Sequence, residues 1–286
     1  MRTDNQRESS NVEDRRGKSK GGMIAGGGIG AIVIALVVML MGGDPTQLLN
    51  SNPGAAAGGA EPQIPDTPEA REGKRFVSIV LADTEDVWRK ILPQQAGRKY
   101  EDPVLVLFSG MVESACGSAT AATGPFYCPG DHKLYIDLSF FDELRAKFKA
   151  PGDFAQAYVV AHEVGHHIQK LLGASDMVHQ QRARLNERDY NRLSVCLELQ
   201  ADFYAGVWAH HAQQMRNILE AGDIEEALRA ANAIGDDRLQ KQGQGHVVPD
   251  SFTHGTSEQR IRWFTKGFKS GDLRQGDTFA VPYESL

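Results

Sequence analysis

The stretch Asp153-Phe-Ala-Gln-Ala-Tyr-Val-Val-Ala-His-Glu-Val-Gly-His-His-Ile-Gln-Lys-Leu-Leu-Gly173 decides how the rest of the chain is read. Ala157, Ala161, Val164, Ile168 and Leu171 recur at helical spacing and predict one apolar stripe for burial. Asp153 with Gln156 reads as a capping box at the start, and Gly173 as the stop. His162 and His166 are one turn apart, so their Cβ atoms stand about 5–6 Å from each other on one face, roughly opposite the stripe. Glu163 is rotated by ~100° from His162 and borders that face. Two imidazoles and a carboxylate at this spacing supply the parts of a catalytic zinc site, two metal ligands and a general base, the alternative being two surface histidines on an ordinary amphipathic helix. His167 turns away from the pair and is not counted as a ligand.

Such a site needs a third protein ligand and an open position. Glu198 is the candidate, on a second helical stretch from about Leu193 to Met215. Ala201, Ala205 and Ala209 form a stripe of small side chains that lets two helices approach closely. Asp202 follows Glu198 by one turn and can accept a hydrogen bond from a ligating histidine, fixing its tautomer. The plainer alternative is that Glu198 and Asp202 belong to a solvated helix face.

The wider wording resembles a known family. Cys116-Gly117, Gly124-Pro-Phe-Tyr-Cys-Pro129, Tyr135-Ile-Asp-Leu-Ser-Phe-Phe-Asp142, Gly152-Asp-Phe-Ala-Gln-Ala-Tyr158, Leu197-Glu-Leu-Gln-Ala-Asp202 and Asp250-Ser-Phe-Thr-His-Gly255 are similar to the bacterial putative neutral zinc metallopeptidase family. The H-E-x-G-H plus E-x-x-x-D pattern resembles the gluzincins. The resemblance, over about residues 70 to 272, implies a zinc-dependent peptidase fold with Zn2+ as cofactor and names no substrate.

Further along, Thr256 with Gln259 reads as the capping box of another amphipathic stretch. Thr253-His-Gly-Thr-Ser-Glu-Gln-Arg260 is similar to a Thr-His-Pro-Ser…Arg element of membrane-linked gluzincins, with glycine in place of proline. His254 and Arg260 are therefore candidates to stabilise the charge that develops on a scissile carbonyl oxygen. The alternative is a loop-capping histidine and an arginine paired to a surface acid.

Cys116 and Cys128 bracket a Gly- and Ala-rich loop and can close it as a disulfide in an oxidising compartment, with two reduced thiols as the alternative. Cys196, within the second helix, reads as a small buried thiol.

The 286-residue chain has 41% hydrophobic residues, enough for a sizeable core, and a net charge of −6. No basic cluster marks the candidate catalytic region, so nucleic acid is not an expected partner. Residues 1–22 are polar and charged and predict a disordered cytoplasmic tail. Residues 23–43 carry no charge and are long enough to span a bilayer. Arg15, Arg16, Lys18 and Lys20 precede that stretch, which by the positive-inside tendency predicts a single-pass membrane protein with a periplasmic or extracellular catalytic domain. Residues 44–69 read as a flexible tether, and 70–286 as the zinc metallopeptidase domain.

Periodicity predicts a helix from Phe76 to Leu92 ending at Pro93, strands at Val104 to Phe108 and Lys133 to Leu138, and helices near Phe140 to Phe148, Ile224 to Ile234 and after Ser257. The expected fold class is α+β: a mainly helical, zincin-like domain with a small sheet, preceded by a transmembrane helix. The Lys133 to Leu138 strand is the expected edge for an extended substrate. The expected function is a membrane-anchored zinc endopeptidase acting on a protein or peptide. The competing expectation is a metal-stabilised, non-catalytic binding or scaffolding domain of the cell envelope.

Overall fold

Strand β2, Val104–Phe108, is apolar at every position because both of its faces are covered. Leu105 and Leu107 face the helical core; Val106 and Phe108 pack with Val112, Ala119, Cys128 and Tyr135 on the other side. The computed structural model describes residues 1–17 and 67–286. Around β2 lie β1 (Val12–Asp14), β6 (Lys133–Asp137) and β5 (Phe126–Cys128), in the order β1-β2-β6-β5. β1, β2 and β6 run parallel, and β5 is antiparallel at the edge. A hairpin of β3 (Met111–Ser114) and β4 (Gly117–Thr120) covers the second face. Its turn is tied to β5 by the Cys116–Cys128 disulfide.

The helical layer begins with α1, Pro68–Ala96. The Thr67 side chain caps it by accepting from the Ala70 N–H at 3.1 Å. It runs through Pro93, expected as its end, because a proline in the last turn costs only one backbone donor. Gly97 in the left-handed region closes it, donating to Pro93 O at 3.1 Å. After α2 (Ser139–Ala146) comes α3 (Asp153–Leu172), then α4 (Ala174–Gln181) and the long α5 (Glu187–Arg216). α6 (Asp223–Ala233), α7 (Asp236–Gln244) and α8 (Ser257–Ser270) complete the layer, with α5 packed on both α3 and α8. α3 does end at Gly173, but its N-cap is Gly152 and makes no side-chain cap bond. Asp153 instead accepts from the Met1 ammonium at 2.5 Å. α8 has the expected capping box, both of its bonds being formed between Thr256 and Gln259.

Three further expectations are corrected. The Lys133 strand is interior, paired on both sides, and the edge beside α3 is β5. The N-terminal residues are not a separate tail: Met1–Arg15 and Pro65–Leu286 form one compact unit, and β1 is a strand of its sheet. A polar segment with few apolar side chains folds here because backbone pairing and buried ion pairs, not a hydrophobic stripe, hold it.

The third correction concerns the membrane. No helix among the described residues is long and apolar enough to cross a bilayer. The uncharged stretch 23–43 and the tether up to residue 66 lie outside the described residues. The chain leaves the compact unit after Arg15 and is back in it by Thr67. One crossing in between would put two neighbouring strands of one sheet, β1 and β2, on opposite sides of a membrane. The single-pass arrangement, with a cytoplasmic N-terminus and an exported domain, is therefore withdrawn.

Candidate metal centre

α3 and α5 cross at Gly165. A Cβ on that residue would lie 2.8 Å from Ala201 O and 3.0 Å from Ala201 Cα, closer than carbon atoms pack. The glycine of His-Glu-Val-Gly-His and the buried Ala201 thus set the helix spacing together. That spacing brings Glu198 between the two histidines. Its Oε2 is 3.2 Å from His162 Nε2 and its Oε1 is 3.4 Å from His166 Nε2.

One ligand atom from each of His162, His166 and Glu198 lies within 4.8 Å of the others. Ligands held at about 2.0–2.1 Å by a tetrahedral ion stand ~3.4 Å apart, so these separations fit a shared cation. The outer nitrogens agree. His162 Nδ1 is 2.8 Å from Asp202 Oδ1, and His166 Nδ1 is 2.9 Å from Gln169 Oε1. Both outer nitrogens then carry a proton as donors, so each Nε2, facing Glu198, is the atom left to bind a cation once its own proton is displaced. The donor set, two imidazoles and a carboxylate, suits zinc.

Burial works against a charged His162, yet Asp202 and Glu198 together lift it to about 10. Glu198 is held well below the usual carboxylate range, since His166, His254 and His162 outweigh the cost of its burial. The arrangement stabilises positive charge among these three side chains, the charge a metal ion would supply. Glu163, only 7% exposed, follows His162 on α3.

Asp202 is fully buried and is pushed down to about 2, Arg260 being the largest cause opposing burial. Arg260 grips it with two bonds, Nε to Oδ2 at 2.8 Å and Nη2 to Oδ1 at 3.0 Å. Arg260 is itself 2% exposed. Its remaining donors reach Tyr158 Oη at 3.2 Å and Ile234 O at 3.4 Å. Tyr158 Oη also donates to Asp202 at 2.5 Å. The guanidinium is thus spent on Asp202 and its surroundings and does not face open solvent.

His254 differs. Its side chain is 49% exposed and its Nδ1 is 3.2 Å from Asp236 Oδ1. The other oxygen of Asp236 accepts the backbone N–H groups of Thr253, His254 and Gly255 at 2.7, 2.6 and 3.1 Å. Burial opposes its charge, but Glu198 and then Asp236 raise it above the ordinary histidine value. His254 thus stands within electrostatic reach of Glu198.

His167 is fully buried, its Nδ1 3.0 Å from Tyr127 Oη and its Nε2 donating to Glu101 O at 2.6 Å. It ties α3 to β5 and makes no bond to the ligand set. Cys196 is a free, buried thiol. A second acidic group, Asp153, Asp223 and Glu226, also converges, but it surrounds the Met1 ammonium. Sequence reasoning missed Gln169, Tyr158 and Asp236. Gln169 is three residues beyond His166 and Tyr158 four before His162, so helical spacing alone could have found both. Asp236 is 18 residues from His254 and gave no local signal.

The chain matches, over residues 1–279, the family described as "Putative neutral zinc metallopeptidase". It is 49% identical over 288 residues to the uncharacterized protein YpfJ of Escherichia coli K12, covering 98% of this chain and 99% of that one. It is 40% identical over 260 residues to the uncharacterized protein Rv2575 of Mycobacterium tuberculosis H37Rv, 85% of each chain being covered. No solved structure matches. The chain belongs to this zinc metallopeptidase family, and its match includes the N-terminal segment that forms β1.

Proposed function

We propose that the protein is a zinc-dependent endopeptidase. The observation that carries this reading is the convergence of His162, His166 and Glu198 with both outer imidazole nitrogens already engaged. Zinc, when bound by these three residues, supplies Lewis acidity for the scissile carbonyl and for the attacking water.

The remaining chemistry belongs to the side chains. Glu163 takes the proton of the attacking water and passes it to the departing amine. His254, oriented by Asp236, donates toward the carbonyl oxygen as negative charge grows there. Asp202 orients His162, and Arg260 is a positioning residue that holds Asp202. The outer edge of β5, at the end of the sheet and linked to α3 through the Tyr127 to His167 bond, is the edge along which an extended protein or peptide substrate adds as a strand.

The test separates metal binding from turnover. Glu163→Gln should keep stoichiometric zinc and lose about 100- to 10,000-fold in hydrolysis of an unstructured protein, as expected for removal of a general base. Hydrolysis at the unsubstituted rate by a zinc-loaded Glu163→Gln protein would show that this carboxylate is not the base. Zinc without turnover in either protein would favour the scaffolding alternative.

A further inference from the structure

Glu85 sits on α1 with no exposure at all. A carboxylate that deep needs several donors to offset its desolvation. It finds them on a stretch far away in sequence. Arg7 Nη2 donates to Oε2 at 2.7 Å, while Ser9 Oγ and Asn11 Nδ2 donate to Oε1 at 2.5 and 2.8 Å. Among the described residues, the cation that pairs with Glu85 besides Arg7 is Arg89, at 3.8 Å.

The three readers occupy alternate positions 7, 9 and 11, the period of an extended chain. Backbone bonds continue the contact. Ser9 N–H donates to Ser78 O at 2.9 Å, Leu105 N–H to Asn11 O at 2.9 Å, and Arg15 N–H to Leu107 O at 2.8 Å. β1 then adds to the edge of β2 in parallel, Val12 against Leu105 and Asp14 against Leu107. Between Arg2 and Arg15 the one apolar side chain is Val12. Residues 2–15 are therefore held by hydrogen bonds and ion pairs that read their side chains, while ahead of them Met1 alone is seated in the hydrophobic core, its ammonium on Asp153.

We propose that the Glu85 region of α1 and the outer edge of β2 form a peptide-docking site. Its ligand is an extended segment of pattern Arg-x-Ser-x-Asn followed by a strand-forming triplet, and its occupant is residues 7–14 of this same chain. The segment is bound as a ligand, so its hold does not depend on the covalent connection through residues 18–66. Without the occupant, Glu85 would be a buried charge short of partners, and β2 would present an apolar edge open to pairing between molecules. Intramolecular supply gives the segment an effective concentration that outcompetes a second copy at ordinary protein concentrations. This inference is independent of the peptidase reading, because none of its residues belongs to the metal centre.

The experiment uses the full chain with a site-specific protease sequence inserted after Gly54. After cutting, the N-terminal piece should co-elute with the body in gel filtration at a concentration on the order of 10 μM. Arg7→Ala, Ser9→Ala and Asn11→Ala combined should weaken the hold at least ~100-fold, since hydrogen bonds to a charged group are lost, and release the piece on cutting. Those changes leave the body's own sequence intact, and far-UV circular dichroism of the uncut variant confirms that it folds. Glu85→Gln, the reciprocal change on the body, should release the same piece. Separation of the unsubstituted pieces at that concentration would overturn the proposal. So would unchanged retention of the triply substituted piece.

Discussion

Replacing Arg260 with methionine distinguishes a positioning arginine from one that stabilises a transition state. Asp202 is 0% and Arg260 2% exposed, and two short bonds join them. Methionine matches the aliphatic length of arginine but leaves the Asp202 charge buried with only Tyr158 and His162 as partners. Breaking one side of a buried pair costs about 3–5 kcal/mol, chiefly the desolvation of the charge left behind. For a domain of this size each kcal/mol moves the melting temperature by about 2–4 °C, so a drop of roughly 6–20 °C is expected. Adding Asp202→Asn to Arg260→Met should recover part of that loss, because the stranded charge is gone. The assay is thermal melting by circular dichroism on all four proteins of the cycle, with zinc content measured in parallel. If Arg260→Met melts within a degree or two of the unsubstituted protein and loses only turnover, the buried-pair argument fails and the arginine acts directly on substrate.

Other perturbations test the remaining parts. Gly165→Ala puts a methyl 2.8 Å from Ala201 O, so α3 and α5 must part; about 1–3 kcal/mol of destabilisation and weakened zinc binding are expected, and normal zinc affinity would show that the crossing has slack. Gln169→Leu removes the acceptor for His166 Nδ1 and should weaken zinc binding about 10- to 100-fold against a chromophoric chelator. Gln169→Glu restores that acceptor but loses the donor to Leu197 O, so it should bind zinc well and melt lower; equal zinc affinity in all three proteins would refute the role. Burial pushes His167 down to about 4, so the folded protein keeps it neutral at pH values where the unfolded chain, at about 6.5, already takes up a proton. Stability from this group is full above pH 6.5 and is lost as pH falls toward 4, by about 3 kcal/mol in all. Denaturant titrations across that window should show a shallower acid loss in His167→Gln, and an unchanged slope would contradict the assignment.

The parts of the site legible in sequence are those joined by helical spacing. His162 and His166 share a face, as do Glu198 and Asp202, because each pair lies one turn apart. What brings the two pairs together is a contact between helices, and only its small-residue half, Ala201, carried a signal. The partner role of Arg260 was invisible: 58 residues separate it from Asp202, and an arginine on an amphipathic helix looks the same whether it meets solvent or a buried acid. In the fold, β2 and β6 were legible as apolar runs. β1 was not, because its segment is polar and its structure comes from the edge of β2 and from Glu85. The same gap produced the membrane error, since residues 1–22 were assigned from composition to a tail that in fact begins inside the domain.

Charge accounting at the metal centre explains why its supporting groups differ in kind. Glu198 brings one negative charge, and a divalent ion bound by it and two neutral imidazoles keeps a net charge of about +1. A second uncompensated carboxylate touching the ligands would lower that charge and weaken the polarisation of a carbonyl. Asp202 touches His162, yet Arg260 cancels its charge through the paired bonds. His166 is oriented by Gln169, a neutral amide that supplies an acceptor without charge. The two histidines are thus each oriented by groups that together add no net charge. Under the proposed peptidase reading, that balance would leave the charge of a bound ion available to polarise a carbonyl.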